Sequence, residues 1–185
     1  MATIVAPKLT YRDLQAMPND GRRYELVDGE VYMTPAPGTR HQRAVGKLFR
    51  ALSEFAQARD LGEIFLAPCD VVFGERTAVQ PDLFFVRQGR LSIVTDTNVQ
   101  GVPDLVIEVL SPSNAAFDRE TKLQVYARAG VPELWYLDPE ERTAEVLNLG
   151  ADRRYVLTAK LSGKADLVSD ALPGLSLRLD EVFPG

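Results

Sequence analysis

Two strand-like segments carry an acidic residue where a buried strand would not be expected to have one. They are Gln80–Val86 and Val102–Asn114, each rich in β-branched or aromatic residues and each containing Pro-Asp. Period-two alternation places Asp82 on the same face as Phe84, and it surrounds Glu108 with apolar neighbours. An isolated buried carboxylate is costly unless a metal ion, a cation or a raised pKa compensates for it. Because both segments have this feature, we expect the two carboxylates to share one site.

The rest of the pattern predicts an α/β fold, with a mixed central β-sheet flanked by helices. Helical periodicity covers Thr39–Arg59, and a second helix is expected at Ala116–Ala129. A capping box at Thr10 predicts a short helix that ends near Pro18, and Asp28-Gly29 predicts an N-terminal hairpin. The other strands are expected at Tyr24–Val27, Glu30–Thr34, Glu63–Leu66, Asp70–Phe73, Leu105–Leu110 and Glu133–Leu137, followed by a C-terminal antiparallel meander of Thr143–Leu149, Arg154–Ala159 and Leu167–Val168.

The size and composition are those of one ordinary globular domain, residues 1–185, without repeats or linkers. Hydrophobic residues make up 45% of the chain and charged residues 25%. No apolar run approaches the roughly 20 residues that cross a bilayer, and the N-terminus lacks the features of a signal peptide. Cys69 stands alone, which excludes a disulfide framework. We therefore expect a cytoplasmic protein with no membrane segment.

The formal net charge of −5 counts against a nucleic-acid partner, because nucleic-acid-binding proteins usually carry a basic excess. A basic stripe nevertheless follows one face of the predicted helix Thr39–Arg59. Its members are Arg40, Arg43, Lys47 and Arg50. Such a stripe is usually a solvated helix face, but its concentration in an acidic protein leaves contact with phosphates equally open.

Asp82 and Glu108 are 26 residues apart, on strands expected to be neighbours. A hard cation such as Mg²⁺ commonly takes one or two carboxylates together with substrate phosphate and water. A further group must then position or deprotonate the attacking water, and Lys122 is the candidate. Helical side chains lean towards the N-terminus of their helix, so Lys122 can reach back to the end of the Glu108 strand. Asp118, one turn earlier, could hold its ammonium group.

These residues resemble the PD-(D/E)xK nuclease superfamily, and specifically its Uma-type family of restriction endonucleases. The resemblance covers most of the chain, and the ordered set of segments is more specific than any one of them. The segments are YELVDGEVY, the His41 helix, QPDLFFV, PDLVIEVLSPSN, the Lys122 helix and GVPELWYLDP. One position departs from the simplest superfamily pattern, which has a lysine where this chain has Leu110. Lys122 fits the position to which the Uma-type family displaces that lysine.

The resemblance implies a restriction-endonuclease-like fold and metal-dependent hydrolysis of DNA phosphodiester bonds. It implies Mg²⁺ or Mn²⁺ held by Asp82, Glu108 and the main-chain carbonyl of Val109. Lys122 would orient the water and stabilise the charge that develops on the phosphate.

Two further positions match residue types that the family often carries. Glu25 would be an outer metal or water contact, and His41 a phosphate contact or a proton donor. A homodimer is expected if the protein cuts both DNA strands, because one such site cuts one strand. The C-terminal meander, Thr143–Val168, is the expected interface.

Each candidate also has an ordinary structural role open to it: a turn cap for Asp82, a solvated helix position for Lys122, a core-edge position for His41 and a pairing with Arg23 for Glu25. Glu108 is harder to explain in that way, because a mid-strand carboxylate has no capping role. The alternative function is a catalytically weak nuclease fold that binds nucleic acid or regulates, which the acidic net charge favours. A hydrolase of some smaller phosphodiester is a third possibility.

Overall fold

Two β-sheets form the centre of this computed structural model, which describes residues 7–18 and 20–183. Residues 1–6, part of the segment judged above for a signal peptide, lie outside that range. The strands and helices in chain order are α1 (Tyr11–Gln15), β1 (Arg23–Val27), β2 (Glu30–Thr34), α2 (Thr39–Gln57), β3 (Gly62–Leu66), β4 (Val71–Gly74), β5 (Thr77–Val79), β6 (Leu83–Arg87), a 3₁₀ helix (Gln88–Ile93), β7 (Val99–Gln100), β8 (Leu105–Val109), a π-type turn (Phe117–Lys122), α3 (Leu123–Ala129), β9 (Glu133–Asp138), β10 (Thr143–Leu149), β11 (Tyr155–Ser162), β12 (Asp166–Leu167), β13 (Leu177–Arg178) and α4 (Leu179–Val182).

The larger sheet has six strands in the order β11-β10-β9-β8-β6-β3. It is mixed, because β8 pairs antiparallel with β6 and parallel with β9. The pairing Leu83↔Ile107 fixes the register of β6 against β8. The expectation that the Asp82 and Glu108 segments lie side by side in a mixed central sheet is therefore confirmed.

A smaller sheet of five strands, in the order β2-β1-β5-β4-β7, was not predicted as a unit. Its hairpin β1–β2 was, and the Asp28-Gly29 turn has positive φ angles of 51° and 80°, as a tight hairpin turn requires. This sheet covers one face of the large sheet, where Val71 and Val79 share an apolar cluster with Phe84 and Val106 of the large sheet. The candidate site residues lie near the point where the chain passes from the small sheet to the large sheet.

The opposite face of the large sheet is covered by α2. Leu48 and Leu52 of this helix pack in one cluster with Leu83 and Ile107, together with α4 at the C-terminal end of the fold. The buried stripe alternates with exposed basic positions, as the helical periodicity predicts. No helix within the described residues is long and apolar enough to cross a membrane.

The predicted strand Gln80–Val86 is wrong in its first half. Strand β5 ends at Val79 in the small sheet, and β6 begins at Leu83 in the large sheet. The residues between them carry the chain from one sheet to the other. Pro81 has no N–H for a strand ladder, and the Gln80 N–H donates to the Glu25 side chain instead. Asp82 therefore lies just before a strand rather than within one.

The C-terminal meander differs from the prediction in the strands that form it. Strands β9, β10 and β11 form it, but β12 leaves it and pairs with β13 in a separate two-stranded sheet. The predicted helix Ala116–Ala129 begins as the π-type turn and continues as α3, which ends at Gly130 with φ 91°. Such turns are frequent at functional sites.

Candidate active site

Six buried polar side chains form a cluster near the point where the chain crosses from the small sheet to the large one, and each is at most 7% exposed. They come from five parts of the chain and are Glu25 of β1, His41 of α2, Asp82 before β6, Glu108 of β8, and Asp118 and Lys122 of the π-type turn. All except Glu25 line one small pocket, which Arg23, Val109 and Asn114 also line. The structure thus brings together every predicted catalytic and metal-binding position.

Lys122 lies at the centre of this cluster. Its Nζ is 2.9 Å from Glu108 Oε1, 3.0 Å from Glu25 Oε1 and 3.5 Å from Asp118 Oδ1. The expectation that Lys122 reaches back to the end of the Glu108 strand is confirmed. The alternative, that Lys122 is a solvent-exposed helix residue, is wrong. Burial by itself would lower the pKa of Lys122, but the surrounding carboxylates raise it well above its usual value. Lys122 therefore carries a positive charge in this site.

Asp82 is held by two donors on the same oxygen. The main-chain N–H of Val109 and Nε2–H of His41 each donate to Asp82 Oδ2 over 2.9 Å. Burial opposes ionisation of Asp82, but the hydrogen bond and charge of His41, with Lys122 and Val109, outweigh it and lower the pKa. Asp82 is therefore an ionised carboxylate of fixed orientation, which the role of a simple turn cap does not require.

Glu108 carries the most perturbed carboxyl group of the pocket. Its Oε1 accepts from Lys122 and from the hydroxyl of Tyr126. Burial raises the pKa of Glu108 to about 8; Lys122 opposes this shift, while Asp118, Asp82 and Glu25 add to it. Burial likewise raises the pKa of Asp118 to about 6. Several carboxyl groups therefore surround the ammonium group of Lys122, and burial favours the protonated forms of Glu108 and Asp118.

Glu25 lies behind Lys122 and is fully buried, so the pairing with Arg23 across solvent is wrong. Its Oε1 accepts from the main-chain N–H of Gln80 over 2.7 Å, in addition to the contact with Lys122. Its Oε2 is buried with no hydrogen-bond partner in the part of the chain that the structure describes. Glu25 thus joins β1 of the small sheet to the segment that carries Asp82.

Two residues of the site were missed in the sequence. Tyr126 had a signal, because Asp118, Lys122 and Tyr126 are spaced four apart and share a helix face. Arg23 had no such signal, because its partner, Gln80, lies where the chain passes from one sheet to the other. Its Nη2 donates to the main-chain oxygen of Gln80 over 2.9 Å and its Nε to Gln80 Oε1 over 3.3 Å.

Known proteins share the sequence pattern and the fold of this chain. A family model described as "Uma2: Putative restriction endonuclease" matches residues 11–180. The chain belongs to the Uma2 family. No curated protein matches it. The fold is similar to the crystal structure of a protein described as "a putative nuclease belonging to DUF820" from Anabaena variabilis. The two share 18% identity and a TM-score of 0.78, over 95% of this chain and 97% of that one.

The Uma2 family resemblance inferred from the motifs and the α/β fold are both confirmed by these matches. Family membership supports a nuclease function in general terms. At 18% identity the structural likeness shows the fold alone. The roles of individual residues have to be argued from the pocket itself.

The Uma2 pocket has the donor types that a hard divalent cation prefers. Its carboxylate oxygens suit Mg²⁺ or Mn²⁺, and a bound cation would favour the ionised form of Glu108, which burial opposes. In a strand, the N–H and C=O of one residue point to the same side, so the carbonyl of Val109 also faces Asp82. Among the described residues, no three His, Cys, Asp or Glu side chains are arranged to hold a metal ion. The candidate donors that line the pocket together are two carboxyl groups, Asp82 and Glu108, and the residue Val109.

The basic stripe on α2 is exposed, but most of its members have partners within the protein. Arg40 pairs with Glu140 at 3.1 Å, Arg50 pairs with Glu54 at 2.9 Å, and Lys47 Nζ donates to the main-chain oxygen of Glu181. Arg43 forms no ion pair with any residue that the structure describes. The stripe is thus less available to phosphates than its sequence pattern indicates.

Proposed function

We propose that this Uma2 protein is a metal-dependent endonuclease that hydrolyses phosphodiester bonds of DNA. The observation that carries the proposal is the convergence of Asp82, Glu108 and Lys122 in one buried pocket. An ammonium group ringed by buried carboxylates, with a strongly raised carboxyl pKa among them, is costly to maintain for structure alone. Family membership supports the nuclease class.

Asp82, Glu108 and the Val109 carbonyl would hold Mg²⁺ or Mn²⁺. A cation bound there supplies Lewis-acid stabilisation of the phosphate and lowers the pKa of a coordinated water. His41 would fix the orientation of Asp82 through Nε2, which is a more modest role than the proton donor that the sequence allows. Glu25 would anchor Lys122 from behind rather than touch the ion.

Lys122 would orient the attacking water and stabilise the charge that develops on the phosphate. In the reaction, the water oxygen forms a bond to phosphorus and the P–O bond to the leaving oxygen breaks. The leaving oxygen ends protonated and the water gives up a proton. Because Lys122 is held by three carboxylates, its ammonium group is already positioned before substrate arrives.

A cleavage assay on supercoiled plasmid with Mg²⁺ or Mn²⁺ tests the proposal. Wild type should nick or linearise the plasmid, and Asp82→Ala should not. If wild type binds the plasmid without cutting it under either metal, the nucleic-acid-binding or regulatory module is correct. If it cuts bis-p-nitrophenyl phosphate but no DNA, the substrate is a smaller phosphodiester.

Double-strand cleavage would further require two copies of this site. We therefore propose a homodimer for the DNA-cutting form, with the exposed edge strand β11 of the meander as its interface. Val156 and Leu157 of this strand are large apolar side chains that are more than half exposed. An unpaired, apolar edge strand is a ready template for another chain.

A further inference from the structure

The buried pocket opens towards a second cavity on the surface of the hairpin. Four residues line both cavities, and they are Arg23, Thr34, Pro35 and Pro37. The outer cavity, called the outer cleft from here on, is also lined by Arg22 and by the exposed Met33. A substrate strand that reaches Asp82 and Glu108 through the outer cleft must pass Arg23.

Two nitrogens of the Arg23 guanidinium are hydrogen-bonded, and the third has no hydrogen bond to the described residues. Its Nε and Nη2 donate to the side chain and main chain of Gln80. Its Nη1 lies 3.7 Å from Asp82 Oδ1, beyond hydrogen-bond distance, and donates to no atom of the described residues. The side chain is 23% exposed. The guanidinium is therefore pre-oriented, with Nη1 on the side of Asp82, in a residue that lines both cavities.

Lys122 is poorly placed to be the first phosphate contact. It is 3% exposed, and its charge is already shared among three carboxylates. A phosphate that approached it would meet the carboxylates as well. Arg23 has a single, more distant carboxylate neighbour, Asp82. A planar guanidinium also matches phosphate oxygens in geometry, and it stays charged at any working pH.

We propose that Arg23 is a catalytic residue that binds the scissile phosphate at the junction of the pocket and the outer cleft. Its Nη1 would donate to a non-bridging phosphate oxygen while Nε and Nη2 remain on Gln80. The strand would then lie along the outer cleft, against Arg22 and Met33, rather than along the basic stripe of α2. This inference rests on the proposed function, since it names the phosphate contact of that same site.

A purely structural role for Arg23 makes different demands. Clamping Gln80, and with it the segment that carries Asp82, needs only Nε and Nη2. If that were the whole role, loss of Arg23 would loosen Asp82 and weaken metal binding. A phosphate contact by Nη1 predicts in addition that the DNA affinity and its salt dependence fall, which loss of the clamp alone does not cause.

The test compares Arg23→Ala and Arg23→Lys with Arg128→Ala. Arg128 is a matched control, because it is an exposed arginine whose partner, Asp28, lies at the opposite end of strand β1. Three quantities are measured: the Mg²⁺ affinity by calorimetry, single-turnover cleavage of plasmid DNA, and binding of a fluorescein-labelled DNA duplex in Ca²⁺ at several salt concentrations. Melting temperatures show whether each variant is folded.

For Arg23→Ala we expect cleavage to fall on the order of a hundredfold. The slope of log affinity against log salt should fall by about one, and this change distinguishes the phosphate contact from the clamp, whose loss would weaken Mg²⁺ binding under either role. Arg23→Lys should keep the salt slope, because it keeps the positive charge. It should recover little cleavage, because an ammonium group cannot hydrogen-bond Gln80 and the phosphate at the same time. The control should match wild type in all three quantities.

Several outcomes would overturn the inference. Wild-type cleavage by Arg23→Ala removes the phosphate role and leaves the nuclease proposal standing. If Arg23→Ala loses Mg²⁺ affinity but keeps the wild-type salt slope, Arg23 acts only as the Gln80 clamp. If Arg23→Ala does not fold, a loss of Mg²⁺ affinity in Arg23→Lys leads to the same conclusion. If wild type binds DNA through Arg23 but never cuts it, the phosphate contact holds and the nuclease proposal fails. If wild type binds no DNA, both are wrong.

Discussion

Lys122 Nζ and Glu108 Oε1 are 2.9 Å apart, and both side chains are at most 3% exposed. Removing one partner of a buried ion pair commonly costs about 3–5 kcal/mol, because the other charge is left without compensation. Lys122 also neutralises Glu25 and Asp118, so the same contacts that position the ammonium group hold the two sheets together. Effects on folding and effects on chemistry must therefore be measured separately in every site variant.

Replacing Lys122 should separate metal binding from chemistry. Lys122→Met keeps the volume but removes the charge, so cleavage should fall at least on the order of a hundredfold. Mg²⁺ affinity should be retained or slightly increased, since a neighbouring positive charge is gone. Urea unfolding of the metal-free variant should show a loss of about 3–5 kcal/mol that added Mg²⁺ partly restores. Lys122→Arg should rescue poorly, because a guanidinium is broader. Cleavage at the wild-type rate by Lys122→Met would exclude Lys122 from the mechanism.

Asp82 and Glu108 should carry the metal. Asp82→Asn and Glu108→Gln preserve shape but remove a negative ligand, so both should lose Mg²⁺ binding and cleavage together. Glu133→Gln is the matched control. Glu133 is a buried carboxylate outside the pocket that accepts from Trp135, Ser169 and Ala171. It should lose stability but keep the Mg²⁺ affinity, as calorimetric titration would show. Full metal affinity in either site variant would move the ion elsewhere.

Metal uptake should depend on pH through Glu108. Because burial raises the pKa of Glu108 from 4.5 to about 8, the metal-free native state binds a proton at neutral pH that the unfolded chain does not. The metal-free protein should therefore lose stability as the pH rises from about 4.5 to about 8. Metal ligation needs the carboxylate, so binding at pH 7 should release a proton and should strengthen up to about pH 8. Titrations in two buffers of different ionisation heat measure that proton, and equal heats would contradict the prediction.

The basic stripe gives a separate prediction about DNA contact. Each phosphate contact contributes about one unit to the salt slope. Arg43→Ala with Lys47→Ala should flatten the slope if these residues meet phosphates, and Arg178→Ala, a partly exposed arginine outside α2 that pairs with Asp180, serves as the control. Fluorescence anisotropy at several salt concentrations measures it. An unchanged slope would assign the stripe to ordinary solvation.

The oligomeric state can be tested at strand β11. Sedimentation at micromolar concentration should show a dimer, and Leu157→Asp should shift it towards monomer by placing a charge on the exposed edge. Lys160→Ala, on the same strand, is the matched control. A wild-type protein that sediments only as monomer would rule out the proposed homodimer.

The sequence was sufficient for elements whose signal is local and insufficient for those whose partner is distant. The Asp28-Gly29 turn, helix α2 and the apolar strand β8 each have a periodic or turn pattern of their own. The small sheet could not be predicted, because β4, β5 and β7 are two to four residues long and acquire their pairing only in the folded sheet, from one another and from β1.

The site follows the same rule. The carboxylate in β8 was conspicuous because nothing local explains it. Arg23 binds Gln80, where the chain passes from one sheet to the other. No sequence pattern near Arg23 predicts that passage. Lys122 had the reach that helix geometry allows, but only the packed structure decides between solvent and the pocket.

The π-type turn over Phe117–Lys122 makes the site sensitive to chain length as well as to residue identity. Such a turn accommodates one residue more than an α-helical turn would. Deleting a single residue between Asp118 and Lys122 would restore a regular helix, with the flanking segments little rotated, but it would leave those two side chains three residues apart instead of four. A relative could therefore keep both residues and still present their charged groups to the pocket differently. In comparing members of this family, the spacing between Asn114 and Tyr126 is as informative as the residues themselves.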